Sequence, residues 1–407
     1  MRVTTSLSYE QSIVNLQKRQ QELSNSQVQL TSGKRVNKAS DDPTAAARAE
    51  RALTSIARTE ANQRAIDASR NVMNIAESAM ADSIDLMQSA RETLVAIGNG
   101  SYTDSERSAL ANKLAEIRKQ LLNVANRPDG GGGYVFGGQG SSSPPFVDTP
   151  TGVEFQGQSG EIMASSGEAL NLTIDGRKAW LQAKSGNGVF TATPDSGNSG
   201  SAWVTSGAVT NPSQLPYPSS AATPPSYSVV FNVSGSTTTY DILDDSGTTL
   251  VSGQAYKAGK AIDIPGLGMS VTISGGPGNG DKFTVGQSEP DLSIFDSLDK
   301  AISTLKTAGI NNGQVMQAVN TGVTELDSVL GNMQGSRSAV GETLNRMDGI
   351  ESRNSALKLA AKTEKSNAED LDMTEAISEF TNRQSGYQAA LQSYASIQKL
   401  SLFQYIG

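Results

Sequence analysis

The chain has 407 residues, enough for two or three domains, with 33 basic and 41 acidic side chains giving a net charge of −8. Its lysines and arginines are spread among acids rather than gathered into a basic face, which argues against nucleic-acid binding. It contains no histidine and no cysteine, so the commonest general base, the commonest neutral metal ligand, disulfides and thiolate metal sites are all excluded.

Thirteen of the 14 prolines lie between Pro128 and Pro290, and Pro43 is the exception. Proline removes a backbone donor and breaks helix interiors, so the first and last thirds are open to long helices around a turn-rich middle. The first helical pattern places Tyr9, Leu16, Leu23 and Leu30 seven residues apart, with Ile13 on the same face. A step of seven is a coiled-coil seam, but Gln20 and Gln27 fill other seam positions. The stripe is too narrow and polar to hold a lone helix, and it requires a partner helix.

Asp42 before Pro43 reads as an N-cap with proline at the first helical position, where its missing donor costs nothing. A second series, Ile66, Met73, Met80, Met87 and Leu94, again steps by seven, with Ala76, Ala90 and Ile97 beside it. Methionine is an adaptable core filler, so this series reads as a bundle core rather than a ligand groove. After Gly98 and Gly100, residues Thr103 to Glu106 form a capping box, which places a hairpin turn at 98–103. Leu110, Leu114, Ile117, Leu121 and Val124 then step by four and three through a third amphipathic helix.

At Arg127 the texture changes to Pro128-Asp129 and a run of glycines, a domain boundary. Beyond it Tyr227, Val229, Phe231 and Val233 alternate on one face, as do Met269, Val271 and Ile273, and then Phe283 and Val285. Strict alternation bounded by glycine and serine predicts strands with one buried face. The five prolines between Asn211 and Pro225 predict an exposed loop. The helical pattern returns with Leu326, Leu330, Met333, Val340, Leu344 and Met347, and again with Met373, Ile377, Phe380, Tyr387, Leu391 and Tyr394. Gly322, Gly331, Gly335, Gly341 and Gly349 weaken the first of these stretches by about 1 kcal/mol each relative to alanine, so packing must hold it or it bends.

Motifs for chemistry are weak. Gly253 to Lys260 has the wrong spacing for a phosphate loop, and Ala261 stands where the magnesium-binding hydroxyl belongs. Gly275 to Asp281 resembles a single calcium-binding turn, but its aspartate falls one place late and a strand-connecting loop explains it better. The pairs Asp41-Asp42 and Asp244-Asp245 are explained by capping and by a turn before Gly247. No catalytic, cofactor or metal residues are assigned. No run of about 18 apolar residues could span a membrane, and the first thirty residues hold no cleavable secretory signal.

The stretch Leu30 to Asn37, followed by Ala39 to Pro43, resembles the N-terminal signature of the bacterial flagellin superfamily. Its signature positions here are Ser32, Gly33, Arg35, Asn37, Asp41, Asp42 and Pro43. The opening Met1 to Thr5, the proline after the paired aspartates and the closing Leu400 to Ile406 are similar to hook-associated members of that superfamily rather than to flagellins. The resemblance covers roughly residues 1–130 and 290–407.

The resemblance implies an α+β multidomain protein: a long antiparallel helical bundle and coiled coil made from both chain ends, with an inserted all-β domain. The expected domains are terminal helices at 1–42 and 371–407, ordering as a coiled coil on assembly; a helical bundle at 43–133 and 291–370; and a β domain at 134–290. Tyr9, Ile13, Leu16, Leu23 and Leu30 would meet Met373, Ile377, Phe380, Tyr387, Leu391, Tyr394, Leu402 and Phe403 between neighbouring copies. The implied role is a non-enzymatic adaptor between the bacterial flagellar hook and filament, exported by the flagellar type III apparatus without signal cleavage. Implied partners are further copies in a ring, hook-associated protein 1, flagellin, and a chaperone holding the C-terminal helix. Two other readings stand beside this: a filament-forming flagellin, and a secreted adhesin or glycan-binding protein using Trp180, Trp203 and Tyr227 as stacking residues.

Overall fold

The computed structural model describes the backbone of residues 4–99, 102–160, 163–165, 169–221 and 223–406, and side chains over the same residues except 4–6, 8, 163–165, 169 and 397–406. Seven helices are described: α1 (Thr4–Ser32), α2 (Pro43–Ile97), α3 (Asp104–Ala125), α4 (Gly176–Leu181), α5 (Ile294–Lys306), α6 (Asn312–Glu369) and α7 (Met373–Ile406). The strands are β1 (Phe146–Thr149), β2 (Gly152–Phe155), β3 (Met163–Ser165), β4 (Ala169–Asn171), β5 (Phe190–Pro194), β6 (Trp203–Val204), β7 (Ala208–Val209), β8 (Tyr227–Ser234), β9 (Thr237–Asp244), β10 (Thr249–Ala255), β11 (Ala261–Ile264), β12 (Met269–Ser274) and β13 (Lys282–Gln287).

Helix ends follow local chemistry. The Asp42 carboxylate accepts the Ala45 amide at 3.0 Å and the Thr44 hydroxyl at 2.8 Å, capping α2 as the sequence predicts. Thr103 and Glu106 form the reciprocal capping box at the start of α3, while residues 100 and 101 of the turn expected at 98–103 lie outside the described residues.

The chain divides into two compact units, residues 1–64 with 349–407 and residues 65–348. Their boundaries fall inside the continuous helices α2 and α6. In residues 65–348, Ile66, Met73, Met80, Met87 and Leu94 are fully buried, together with Ala76, Ala90 and Ile97. The facing side is Val319, Leu326, Met333, Val340 and Met347 of α6. Arg91 to Asp327, Arg337 to Glu77 and Arg70 to Asp348 tie α2 to α6 along this length, in an order that makes the helices antiparallel. A Cβ on Gly322 would lie 2.9 Å from Leu94 Cδ1, so glycine there permits close approach of the two helices.

The strands build a sandwich of two antiparallel sheets. One runs β10-β9-β8-β13-β5 and the other β11-β12-β6, with β7 also on β12. Tyr227, Val229, Phe231, Met269, Val271, Ile273, Phe283 and Val285 all point into the shared core, as their alternation predicts. The proline-rich 211–225 loop is largely exposed, but Tyr217 is buried in this core and donates its hydroxyl to the Pro225 carbonyl at 2.6 Å. An aromatic ring can anchor a loop that proline content alone marks as free.

The described residues between 134 and 185 are not part of that sandwich core. The β1–β2 hairpin and α4 pack on the helices through Phe136, Phe146, Trp180 and Phe295, with Trp180 stacked on Phe295 at 6.0 Å. Arg118 of α3 closes this cluster, gripping Asp148 through two nitrogens at 2.8 Å and Asp299 at 2.7 Å. Those two carboxylates, Asp148 foremost, hold the guanidinium firmly charged. Aromatic burial therefore welds the start of the β region to α3 and α5.

Candidate assembly interface

The two chain ends meet in residues 1–64 and 349–407. Helix α1 ends at Gly33, whose backbone has φ +69°, a left-handed conformation that suits glycine, and whose amide donates to the Gln29 carbonyl at 2.9 Å. The next residues turn back onto the α6–α7 junction. The Leu371 amide donates to the Gly33 carbonyl at 3.0 Å, and the Arg35 amide donates to the Glu369 carbonyl at 2.7 Å. The Arg35 side chain reaches the Ala368 carbonyl at 2.9 Å and Asp42 at 3.2 Å, while Lys34 pairs with Glu369 at 3.2 Å.

The other signature residues lock the same turn. Ser32 accepts the Lys34 amide at 3.2 Å, Asn37 donates to the Lys34 carbonyl at 3.2 Å, and Asp41 accepts the Asn37 and Lys38 amides at 3.1 and 2.9 Å. Ser32, Gly33, Arg35, Asn37, Asp41, Asp42 and Pro43 thus form a clasp that fixes where α1 leaves α2 and where α7 leaves α6. The partner stretch Ala368 to Asp372 carries little side-chain signal, because it contributes mainly backbone carbonyls and amides.

From this clasp α1 and α7 run side by side and antiparallel. The Tyr9 and Tyr394 rings lie 5.4 Å apart with their hydroxyls hydrogen-bonded. Arg383 donates to the Ser26 hydroxyl at 2.7 Å and the Glu22 carbonyl at 3.4 Å, and a Cβ on Gly386 would lie 2.7 Å from the Arg19 guanidinium. Ile13, Leu16, Leu23, Leu30, Phe380, Tyr387 and Tyr394 are half-buried along this seam. Met373, Ile377 and Leu391 are instead exposed, at 46%, 54% and 42%. The inner positions of α7 step through Ala376, Phe380, Arg383, Tyr387, Ala390 and Tyr394, so alanine and arginine take places where apolar spacing suggested larger side chains. The side chains of Leu402 and Phe403 lie outside the described residues.

The seam is formed within one chain and only half closed. A cleft of about 490 Å³ opens between the helices beside Leu16, Arg19, Ala390 and Tyr394. Leu7, Val14 and Val28 on α1 are more than half exposed. Apolar side chains left in water on long helices favour further helix packing.

Elsewhere the candidate motifs resolve into structure. Asp281 is buried, and its carboxylate accepts the amides of Ser199 at 2.8 Å, Gly278 at 2.7 Å and Gly200 at 3.1 Å. Asp244 accepts the amides of Ser246 and Thr248 within its turn at 3.0 and 2.8 Å. Gly253 lies in β10, where the register with β9 shifts, and not in a phosphate loop. Trp180 is fully buried and Tyr227 nearly so, which removes two of the three aromatics as surface platforms, while Trp203 is half-buried. A cleft of about 350 Å³ between the 193–202 segment and the α5–α6 pair contains Lys300 and Glu325. Among the described residues no cluster of three acids could hold a metal ion, and no helix is long and apolar enough to cross a membrane.

Two family models match the chain: the bacterial flagellin N-terminal helical region over residues 3–141 and the bacterial flagellin C-terminal helical region over residues 314–406, together more than half of it. Flagellar hook-associated protein 3 of Salmonella typhimurium is 24% identical over 99% of both chains, and its Escherichia coli counterpart is equally similar over the same share. Flagellin E of Vibrio cholerae is 29% identical over 37% of this chain and 36% of its own. Among solved structures, flagellar hook associated protein-3 of Legionella pneumophila superposes with a TM-score of 0.70 at 23% identity, covering 77% of this chain and 97% of that one. The FlgL structure of Xanthomonas campestris gives 0.67 at 25% identity, covering 78% and 99%.

Proposed function

The chain belongs to the bacterial flagellin family, and we propose that it is the non-enzymatic adaptor that joins the flagellar hook to the filament. The observation that carries this reading is the match to hook-associated protein 3 over 99% of both chains, β region included. The half-open α1–α7 seam, with apolar side chains left exposed along both helices, supports assembly through the two chain ends.

In this reading copies form a ring whose helices continue the tube, hook-associated protein 1 lies on the hook side and flagellin on the filament side. Before export through the flagellar type III apparatus, a chaperone covers α7. The test is to add the purified chain, then flagellin, to isolated hooks that carry hook-associated protein 1. A single added layer from which flagellin filaments grow is expected. Long filaments of the chain alone would make it a filament subunit instead.

A further inference from the structure

Far along the α1–α7 pair from the clasp, Tyr9 and Tyr394 meet through their hydroxyls. The Tyr394 hydroxyl donates to that of Tyr9 at 2.5 Å, and the ring centroids are 5.4 Å apart. Tyr9 is 39% exposed, and Tyr394 is half-buried beside the open cleft of about 490 Å³. The other tyrosines that touch aromatic neighbours, Tyr240 and Tyr256, pack on Phe231 rather than on each other, and Tyr217 and Tyr227 are shut inside the sandwich core.

An oxidised phenol couples through the carbons ortho to its hydroxyl, and those carbons adjoin the one that carries the oxygen. A contact between two hydroxyls therefore brings the reactive edges of both rings to one place. The chain has no cysteine to be oxidised first, and Trp180 is buried.

We propose that Tyr9 and Tyr394 are an oxidative coupling site, at which hydrogen peroxide, acting through a haem peroxidase as one-electron oxidant, joins the two rings as dityrosine within one chain. Each phenol gives up one electron and its hydroxyl proton. A bond forms between the two ortho carbons, and the hydrogens at those carbons move to the oxygens to restore both rings. The two electrons and two protons released reduce one peroxide to two waters. In a chain without cysteine the link takes the part of a disulfide, tying α1 to α7 across nearly the whole sequence and so restricting the unfolded state. It needs only the pairing of α1 with α7 in one molecule and does not depend on which proteins the chain joins.

The test treats the full chain, both free and assembled on hook ends, with hydrogen peroxide and peroxidase, and then digests it for mass spectrometry. Dityrosine fluorescence is expected in a band that runs at the size of one chain, with a joined peptide pair that contains residues 9 and 394 and has lost two hydrogens. Tyr9→Phe and Tyr394→Phe keep the rings, and each should cut the dityrosine yield by at least about ten-fold, because rings held together couple faster than rings that meet by chance. Tyr387→Phe, on the same helix, should leave the yield unchanged. No dityrosine in either state, an unchanged yield in Tyr9→Phe, or linkage mainly between chains would overturn the proposal. If the chain does not assemble on hooks, it is the function reading that fails, and the free chain still decides whether the tyrosines couple.

Discussion

Asp42 accepts the Ala45 amide, the Thr44 hydroxyl and an Arg35 contact, and in that order these hold its pKa at about 2, down from 3.8. A carboxylate that ionises more readily when folded contributes stability above its unfolded pKa, and the contribution is lost as pH falls from about 4 toward about 2. Asp42→Asn should therefore remove that part of the acid sensitivity, measured as helix content against pH; an unchanged acid limb would show that the cap does not carry it. Glu325 works in the opposite sense, because burial raises its pKa despite a hydrogen bond with Ser297 and the charge of Lys300. Its folded state favours the protonated form, so it gains stability as pH falls through the raised pKa. Glu325→Gln should raise the denaturation midpoint at pH 7 and change it little at pH 4, and a lower midpoint at pH 7 would show that the carboxylate is better paired than its burial suggests.

At the scale of elements, the Met73, Met80 and Met87 series forms the inner face of α2, and each side chain is essentially unexposed. Met80→Ala should cost about 2–5 kcal/mol in chemical denaturation, the range for emptying a packed methionine site. Leu23, half-buried on a seam with a cleft beside it, should behave differently: Leu23→Asp lowers the melting temperature by only a few degrees but prevents association, read by sedimentation. The α2 core was legible in sequence because a large apolar residue recurs every seven positions from Ile66 to Leu94, with small residues such as Ala76 and Ala90 buried between them. The α7 seam was only partly legible, since Ala376, Arg383 and Ala390 face inward while Ile377 and Leu391 face out. A polar, loosely packed helix pair does not announce its inner face by hydrophobicity. The caps at Asp42 and Thr103 were legible for the opposite reason, because a cap depends on residues three or four apart.

At the scale of the molecule, two long helical arms around a β-rich middle follow from where proline and glycine fall. The division at 64/65 and 348/349 does not, because it lies within unbroken helices, and the packing of Phe146 and Trp180 on Phe295 joins residues too distant in sequence for any local pattern to show. The central claim is that the exposed faces of α1 and α7 are completed only by other copies and by flagellar neighbours. Hydrogen exchange, compared between the free chain and the chain assembled on hook ends, tests it most directly. Amides in 4–32 and 373–406 should slow by at least about ten-fold on assembly while those in 65–97 stay as protected as before. Equal protection of the terminal helices in both states would mean that one chain already completes its own interface, and would contradict it.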